Sequence, residues 1–322
     1  MKEPIDAKPV GIKESFLSYR TLIGFAVSAA ILYLFFRNFN LAAAVGAISK
    51  ARWPFILLAF IVYYITVPIR GARWGRLLKP AGHQIDNSSL TRYYFLAWFA
   101  NALLPARIGD LYRAYLLKKN KGVPISLSLG VLFSERIFDL VITACLVAIS
   151  GAYFWSALKG TSERDTLIFG LMAIMLVAVV FIASALGLPS LLRFAPERWK
   201  SRLESFSSGL FKTPSLLPII IFMTLVIWLS EALRLYLVFQ AFGIEAGFLT
   251  AVFISQAALI IMAVPLSPAG LGLVEILMLK ILTASGILTD LAGAVTLVDR
   301  LISYWSLLVL GAITYLSGSG DR

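Results

Sequence analysis

Apolar runs recur from residue 17 to residue 317, and two of them are too short and too broken to cross a bilayer simply. Six runs are long enough to span: 17–36, 53–70, 125–150, 166–187, 216–242 and 291–316. Each meets the rough minimum of about 17–25 residues that a transmembrane helix needs. The other two, 91–106 and 248–264, end in Pro/Gly-containing breaks, LLPARIG and VPLSPAGLG. Each break leads into a further helix-like stretch, 110–119 and 272–285. The fold class expected is therefore an all-α polytopic membrane protein. It would have about six spanning helices and two re-entrant helical hairpins, and a mean hydropathy of +0.86 supports that class.

Lysine and arginine placement orients the runs. Lys2, Lys8, Lys13 and Arg20 lie in or beside the N-terminal tail, and the 70–92 loop holds Arg70, Arg73, Arg76, Lys79 and Arg92. The 105–124 segment holds Arg107, Arg113, Lys118, Lys119 and Lys121, whereas 243–250 and 284–290 hold none. Basic loops stay on the cytoplasmic side. If 91–106 crossed the membrane, two basic loops would face opposite sides. If it enters and turns back, both remain inside. The same reasoning makes 248–285 a second hairpin, with both ends outside. Non-helical backbone at membrane depth is tolerated only inside protein or beside a water-filled cavity. The breaks, with hairpin-turn residues Pro105, Gly109, Pro265, Pro268, Gly270 and Gly272, are thus expected to line a cavity.

The organisation expected is a cytoplasmic tail at 1–16, one transmembrane domain at 17–317 and a short tail at 318–322. The domain divides into repeat halves at about 17–158 and 166–317. PARIGDLY (105–112) lies against PAGLGLVE (268–275), and GVPISLSLGVLFSERIFD (122–139) against GILTDLAGAVTLVDRLIS (286–303). Arg70 matches Arg234, Glu135 matches Asp299 and Arg136 matches Arg300, all 164 positions apart. With 125–150 running outward and 291–316 inward, the halves would be inverted, an arrangement common among transporters. Both termini would be cytoplasmic, in a prokaryotic cell membrane.

Charges inside the runs are the candidate site. Glu135 and Arg136 fall about 13–15 Å along their helix, at roughly 1.5 Å per residue, which is mid-membrane. Glu135 and Asp139 share a face, as do Glu231 and Arg234. A charge at that depth is costly and faces inward toward a partner. The carboxylates Asp110, Glu135, Asp139, Glu231, Glu275 and Asp299 and the arginines Arg70, Arg73, Arg107, Arg113, Arg136, Arg234 and Arg300 are the candidate substrate-binding set. Structural ion pairing is the competing reading, strongest for Glu135, Asp139, Asp299 and Glu231. Arg107, Arg136 and Arg300 are the favoured ligand contacts, since a planar guanidinium suits phosphate. Arg70, Arg73 and Arg76 read either as interfacial anchors with Trp74 or as a headgroup vestibule.

Several classes are excluded. Cys145 is the only cysteine and His83 the only histidine, so neither a disulfide framework nor a thiolate or histidine metal site is expected. Cys145 is read as a packing residue. No G-x-x-x-x-G-K-[ST] loop occurs, so no nucleotide cofactor is expected, and no catalytic residues are assigned. A net charge of +12 reflects cytoplasmic loops and anionic lipid rather than nucleic acid. The N-terminus lacks the form of a cleaved signal.

RGARWGRLL, NALLPARIGDLYRAYLL, LGVLFSERIFDL and PLSPAGLGLVE together resemble the lysylphosphatidylglycerol synthase transmembrane-region family, also described as flippase-like. The family motif P-x-R-x-G-[ED] corresponds to Pro105, Arg107, Gly109 and Asp110, with Asp in place of the commoner Glu. The E-R motif with a following Asp corresponds to Glu135, Arg136 and Asp139. P-x-x-P-x-G-x-G-x-x-E corresponds to Pro265, Pro268, Gly270, Gly272 and Glu275. The resemblance covers essentially the whole chain. In relatives of the multiple-peptide-resistance type, such a region moves lysyl-phosphatidylglycerol between leaflets, and a separate cytosolic domain makes it. This chain ends at GSGDR, so the resemblance implies the translocating half without the synthase half. The substrate does not carry over from the resemblance. With Arg107, Arg136 and Arg300 suited to phosphate, the expected function is a lipid transporter for an anionic phospholipid or polyprenyl-phosphate-linked lipid, with an anionic membrane lipid as partner. An intramembrane headgroup-modifying enzyme using Glu135 or Asp110 as acid/base is the first alternative. A non-transporting membrane partner of a separate lipid synthase is the second.

Overall fold

The computed structural model describes residues 19–104, 107–157, 204–210, 214–263 and 267–317, and among these all regular structure is helical. The tail at 1–16, the run at 166–187, the segment 318–322, Pro105 and Pro265 lie outside the described residues.

The first helices are α1 (Tyr19–Arg37), α2 (Leu41–Ser49), α3 (Trp53–Leu78), α4 (Asn87–Leu103), α5 (Ile108–Lys121) and α6 (Ile125–Ala157). They are followed by α7 (Leu217–Ala241), α8 (Phe248–Ala263), α9 (Leu273–Ala284), α10 (Thr289–Arg300) and α11 (Ser306–Ser317). A short helical piece covers 204–209. A π-helical turn, Leu301–Trp305, joins α10 to α11 without a break. Three helical stretches are long and apolar enough to cross a membrane: Trp53–Ala81, Leu217–Ala241 and Thr289–Ser317. A fourth is possible if the pair Phe25–Arg37 and Leu41–Ser49, bent by 79°, is a single span.

The centre is the pair α3 and α7. The Arg52 amide donates to the Ala241 carbonyl at 2.8 Å, joining the start of α3 to the end of α7. At the opposite end Arg73 Nη1 donates to Thr224 Oγ1 at 2.9 Å. The two helices are therefore antiparallel. Around them lies one large apolar cluster that includes Ile56, Tyr63, Leu235, Phe239, Phe253, Leu282 and Val295.

Helices α4 and α5 form a closed hairpin. Asp86 caps α4 through the Ser89 amide at 2.8 Å and also receives Lys121 Nζ at 3.0 Å, so the start and end of the hairpin meet. The chain can turn so tightly because Gly109 sits against α4. A Cβ there would fall on the Ala97 carbonyl and lie 2.7 Å from Asn101 Oδ1. The tip of this hairpin touches the second one, α8–α9, where Ala102 and Leu271 share a small core with Tyr304 and Leu307. Tyr304 donates to the Ala102 carbonyl at 3.3 Å.

Two sequence expectations are corrected. Trp74 is not an interfacial anchor but fully buried, with Arg73 beside it equally buried, because both face the bundle rather than its rim. Cys145 is exposed on the outer face of α6 and does not pack in the interior.

The hairpin geometry makes two glycines behave oppositely. Gly109→Ala is expected to destabilise the protein by about 1–3 kcal/mol, because the neighbour it meets is backbone. Gly46→Ala, with nothing within 4 Å of the added carbon, is expected to be neutral or to gain about 0.5–1 kcal/mol of helix stability. Thermal unfolding in detergent compares them. The exposed Asp86 carboxyl is held well below its ordinary range, first by Ser89 and then by Lys121. A carboxyl lowered in the folded state stabilises above its unfolded value, so hairpin closure should weaken as pH falls below about 4. Hydrogen exchange at the start of α4 would register the loss.

Candidate functional site

A central cavity of about 130 Å³ lies where the two hairpin tips meet α3, α6, α7 and α10. That volume is room for several waters or a small polar headgroup. Nine of the predicted site residues line it: Arg70, Arg107, Asp110, Arg113, Arg136, Glu231, Arg234, Asp299 and Arg300. The other four, Arg73, Glu135, Asp139 and Glu275, do not line it; they sit directly behind, tied to the lining by ion pairs. Of the predicted turn residues, Gly109, Gly270 and Gly272 hold the described tips, the last two at φ 68° and 89°, which favours glycine. Pro268 opens the short 3₁₀ turn before them.

The charges are organised. Arg73, Asp139, Arg136, Asp110, Arg113 and Glu135 form a closed ring of alternating sign. Arg73 bonds Asp139 at 2.7 Å, and Arg113 bonds Glu135 at 2.6 Å. The remaining links are Arg136 to Asp139 at 3.4 Å, Arg136 to Asp110 at 3.3 Å, Arg113 to Asp110 at 3.6 Å and Arg73 to Glu135 at 3.7 Å. The ring ties together α3, α5 and α6. A second chain runs between α3, α7 and α10: Arg70 to Glu231 at 2.9 Å, Glu231 to Arg234 at 3.5 Å, and Arg234 to Asp299. A third pair, Arg300 and Glu275 at 2.8 Å, binds α10 to α9. Glu275 also accepts the Gly272 amide at 2.7 Å and so caps its own helix.

Aromatic rings hold the guanidinium groups that the sequence reading placed in the site. Arg70 lies between Trp98 and Trp228, 5.0 and 4.9 Å from the ring centroids. Arg113 lies between Trp74 and Tyr94, at 5.0 and 4.7 Å. Arg234 faces Tyr63 and Arg300 faces Tyr304. Such contacts strengthen when desolvated. Apart from Trp74, read as an interfacial anchor, none of these aromatic partners, nor Asn101, which accepts the Gly109 amide at 2.8 Å, was identified in the sequence. Trp98 is one of several aromatic residues in RYYFLAWF and does not stand out there.

Each of the ring and chain arginines has a carboxylate. Arg107 is different. It stands at the tip of the first hairpin in a left-handed conformation, φ 54° and ψ 38°, and begins α5 without a side-chain cap. Among the described residues it has no ion pair or hydrogen bond, although it lines the cavity. Its amide neighbourhood is a helix N-terminus, which favours anions. Seven arginines against six carboxylates leave the site with one uncompensated positive charge, and Arg107 carries it.

With three helical stretches long and apolar enough to cross a membrane packed around this cavity, the chain is a multi-pass membrane protein. A family model described as the lysylphosphatidylglycerol synthase TM region matches residues 21–311, and the chain belongs to that family. It is similar to a UPF0104 membrane protein of Methanocaldococcus jannaschii, 35% identical over 221 residues, covering 67% of this chain and 93% of the relative. A UPF0104 membrane protein of Methanothermobacter thermautotrophicus is 27% identical over 312 residues, 90% of this chain and 91% of the relative. Glycosyltransferase AglD of Haloferax volcanii is 30% identical over 105 residues, 33% of this chain and 17% of that protein.

The two kinds of arginine should separate on substitution. Glu135→Ala takes from Arg113 its 2.6 Å partner and from Arg73 its second carboxylate, leaves a surplus positive charge in the desolvated ring, and is expected to cost about 3–5 kcal/mol. Arg107→Ala breaks no ion pair and should cost under about 1 kcal/mol. Tryptophan-fluorescence melting of both variants checks this, and equal losses would place Arg107 among the structural pairs.

Proposed function

We propose that this chain is a lipid transporter, flippase-like, which moves an anionic phospholipid or polyprenyl-phosphate-linked lipid between leaflets through the central polar cavity. The observation that carries this reading is the unpaired Arg107 at a hairpin tip, beside a cavity whose other charges are balanced. A charge left unpaired at depth is expensive, and an anionic headgroup would offset it.

An inverted repeat supports the transport mechanism. Helices α3 and α7 begin 164 positions apart, as do α6 and α10, and α5 and α9 begin 165 apart. The related helices α3 and α7 are antiparallel neighbours, as a two-fold axis between them would require. Packing is also reciprocal. Helix α2 lies against α10, and Phe39 just before it meets Gly293. The piece at 204–209 lies against α6, where Gly130 meets Phe206 and Gly209. Arg136 reaches Asp110 and Arg300 reaches Glu275, each an acid in the first turn of a hairpin's return helix. Rocking of such halves about a fixed site is the usual form of alternating access. The contact between Asp86 and Lys121 supports a hairpin that returns to the side it left. The basic flanks favour the cytoplasm for that side and for both termini.

A transporter is favoured over an enzyme because every carboxylate at the cavity is engaged by an arginine, which leaves none as a general base. The likeness to part of Glycosyltransferase AglD favours a second reading, a membrane partner for a separate lipid-synthesising enzyme.

Reconstituted protein should speed leaflet exchange of a labelled anionic lipid, and Arg107→Ala should slow it by at least about tenfold, near 1.4 kcal/mol. Exchange unaffected by Arg107→Ala would favour the partner reading. Cysteines placed at Lys79 and Lys119 should label from the same side; labelling from opposite sides would rule out the re-entrant hairpin.

A further inference from the structure

We infer that the cavity selects a lipid carrying one phosphodiester charge and a neutral, hydroxylated headgroup, and disfavours headgroups bearing an ammonium or a second phosphate. The inference rests on the transport reading only in taking this cavity as the headgroup site.

The first argument is charge. The ring of Arg73, Arg113 and Arg136 with Asp110, Glu135 and Asp139 is neutral, and so are the chain from Arg70 to Asp299 and the pair of Arg300 with Glu275. Arg107 alone adds a charge. A phosphodiester is a monoanion and would bring the site to neutrality. A diphosphate or a phosphomonoester dianion would overshoot, and in a low-dielectric site a surplus charge of either sign is costly.

The second argument is donor and acceptor type. Arg113 Nη1, Trp228 Nε1, Ser267 Oγ and Ser303 Oγ are buried, lack a hydrogen-bond partner and belong to residues that line the cavity. Two of these are N–H groups that can only donate, and the hydroxyls donate or accept. A buried donor without an acceptor costs about 1–3 kcal/mol. Phosphate oxygens and headgroup hydroxyls supply acceptors. An ammonium supplies only further donors, and it would need a carboxylate. The lining carboxylates are already bound: Asp110 by Arg113 and Arg136, Glu231 by Arg70 and Arg234, and Asp299 by Arg234.

The third argument is the contrast between hairpins. At the second tip the return helix is capped by its own Glu275, which also holds Arg300. At the first tip the Gly109 amide goes to Asn101 at 2.8 Å, and the N-cap position is held by Arg107, whose side chain makes no cap. Among the described residues the first tip thus presents a guanidinium that no carboxylate holds, whereas the arginine at the second is bound to Glu275.

Two lipid sources share this chemistry: a phospholipid with a polyol headgroup, and a polyprenyl phosphate esterified to a single sugar. The test uses the purified full-length chain in detergent and measures binding by native mass spectrometry and thermal shift. The probes are phosphatidylglycerol, polyprenyl-phosphate hexose, phosphatidylethanolamine, lysyl-phosphatidylglycerol and polyprenyl-diphosphate hexose. At least one of the first two should bind about tenfold or more tighter than each of the other three, and the tighter of the pair identifies the source. Arg107→Ala, with its melting temperature kept near that of the wild type, should lose that preference, and Arg107→Lys should keep part of it. Should Arg107→Ala not fold, Arg107→Lys and the wild-type ranking still decide. Equal or tighter binding of an ammonium lipid or the diphosphate, or no binding of either favoured probe, overturns the inference. So does a preference that survives Arg107→Ala. Failure of the transport reading looks different: selective binding would persist while leaflet exchange stayed at the rate of empty vesicles.

Discussion

Burying arginine in a low-dielectric interior is the constraint on which the rest of this structure depends. An isolated ion at that depth costs several kcal/mol, and even a pair recovers this only with good geometry and further contacts. The protein meets the demand with alternation and with aromatic faces. Arg73 bonds Asp139 and sits close to Glu135, and Arg113 is clasped between Trp74 and Tyr94 while it bonds Glu135. Since these residues come from α3, α5 and α6, the ring can close only when the three helices are correctly placed. The charges thus specify the fold as much as they stabilise it.

The interrupted helices follow from the same constraint. The acid Asp110 must reach the depth of Arg136 on α6, and the acid Glu275 must reach Arg300 on α10. A helix that crossed the whole membrane would carry its first-turn acid to the surface. A hairpin that turns within the protein holds that first turn, with its exposed amides, inside. Close approach at the turn then requires glycine, because a side chain at Gly109 would strike the Ala97 backbone. At the second hairpin the π turn Leu301–Trp305 directly follows Arg300, and it carries Tyr304 to the guanidinium of Arg300 and to the first hairpin's Ala102.

Much of this was legible in the sequence because charge is rare in apolar runs. The helical class, the broken runs and the thirteen charged residues now gathered at the cavity or directly behind it could each be picked out by their contrast with their neighbours. The division of labour among them could not. Arg136 and Arg300 looked like ligand contacts, yet both are paired, because spacing along one helix does not reveal which acid arrives from another. Arg73 and Trp74 looked interfacial because α3 turns basic near its end, and only packing against other helices makes that end interior: α4, α5 and α6 around Trp74, and α6 and α7 around Arg73. The aromatic partners were hidden for the opposite reason: a tryptophan in a membrane run does not stand out as a site residue.

The two hairpins are alike enough that their one difference is informative. In both, an acid in the first turn of the return helix reaches an arginine on a long helix. In the second, Glu275 also closes the helix N-terminus by accepting the Gly272 amide. In the first, Asp110 is spent on Arg136 and Arg113, the Gly109 amide goes to Asn101, and the Arg107 side chain is left without a carboxylate. Glu231, meanwhile, is shared between Arg70 of α3 and Arg234 of its own helix α7, the two helices at the centre of the bundle. Its bond to Arg70 joins α3 to α7, and its contact with Arg234 lies within α7. The two tips use the same device, a first-turn acid that reaches an arginine on a long helix, and differ in one guanidinium, Arg107, which no carboxylate among the described residues reaches.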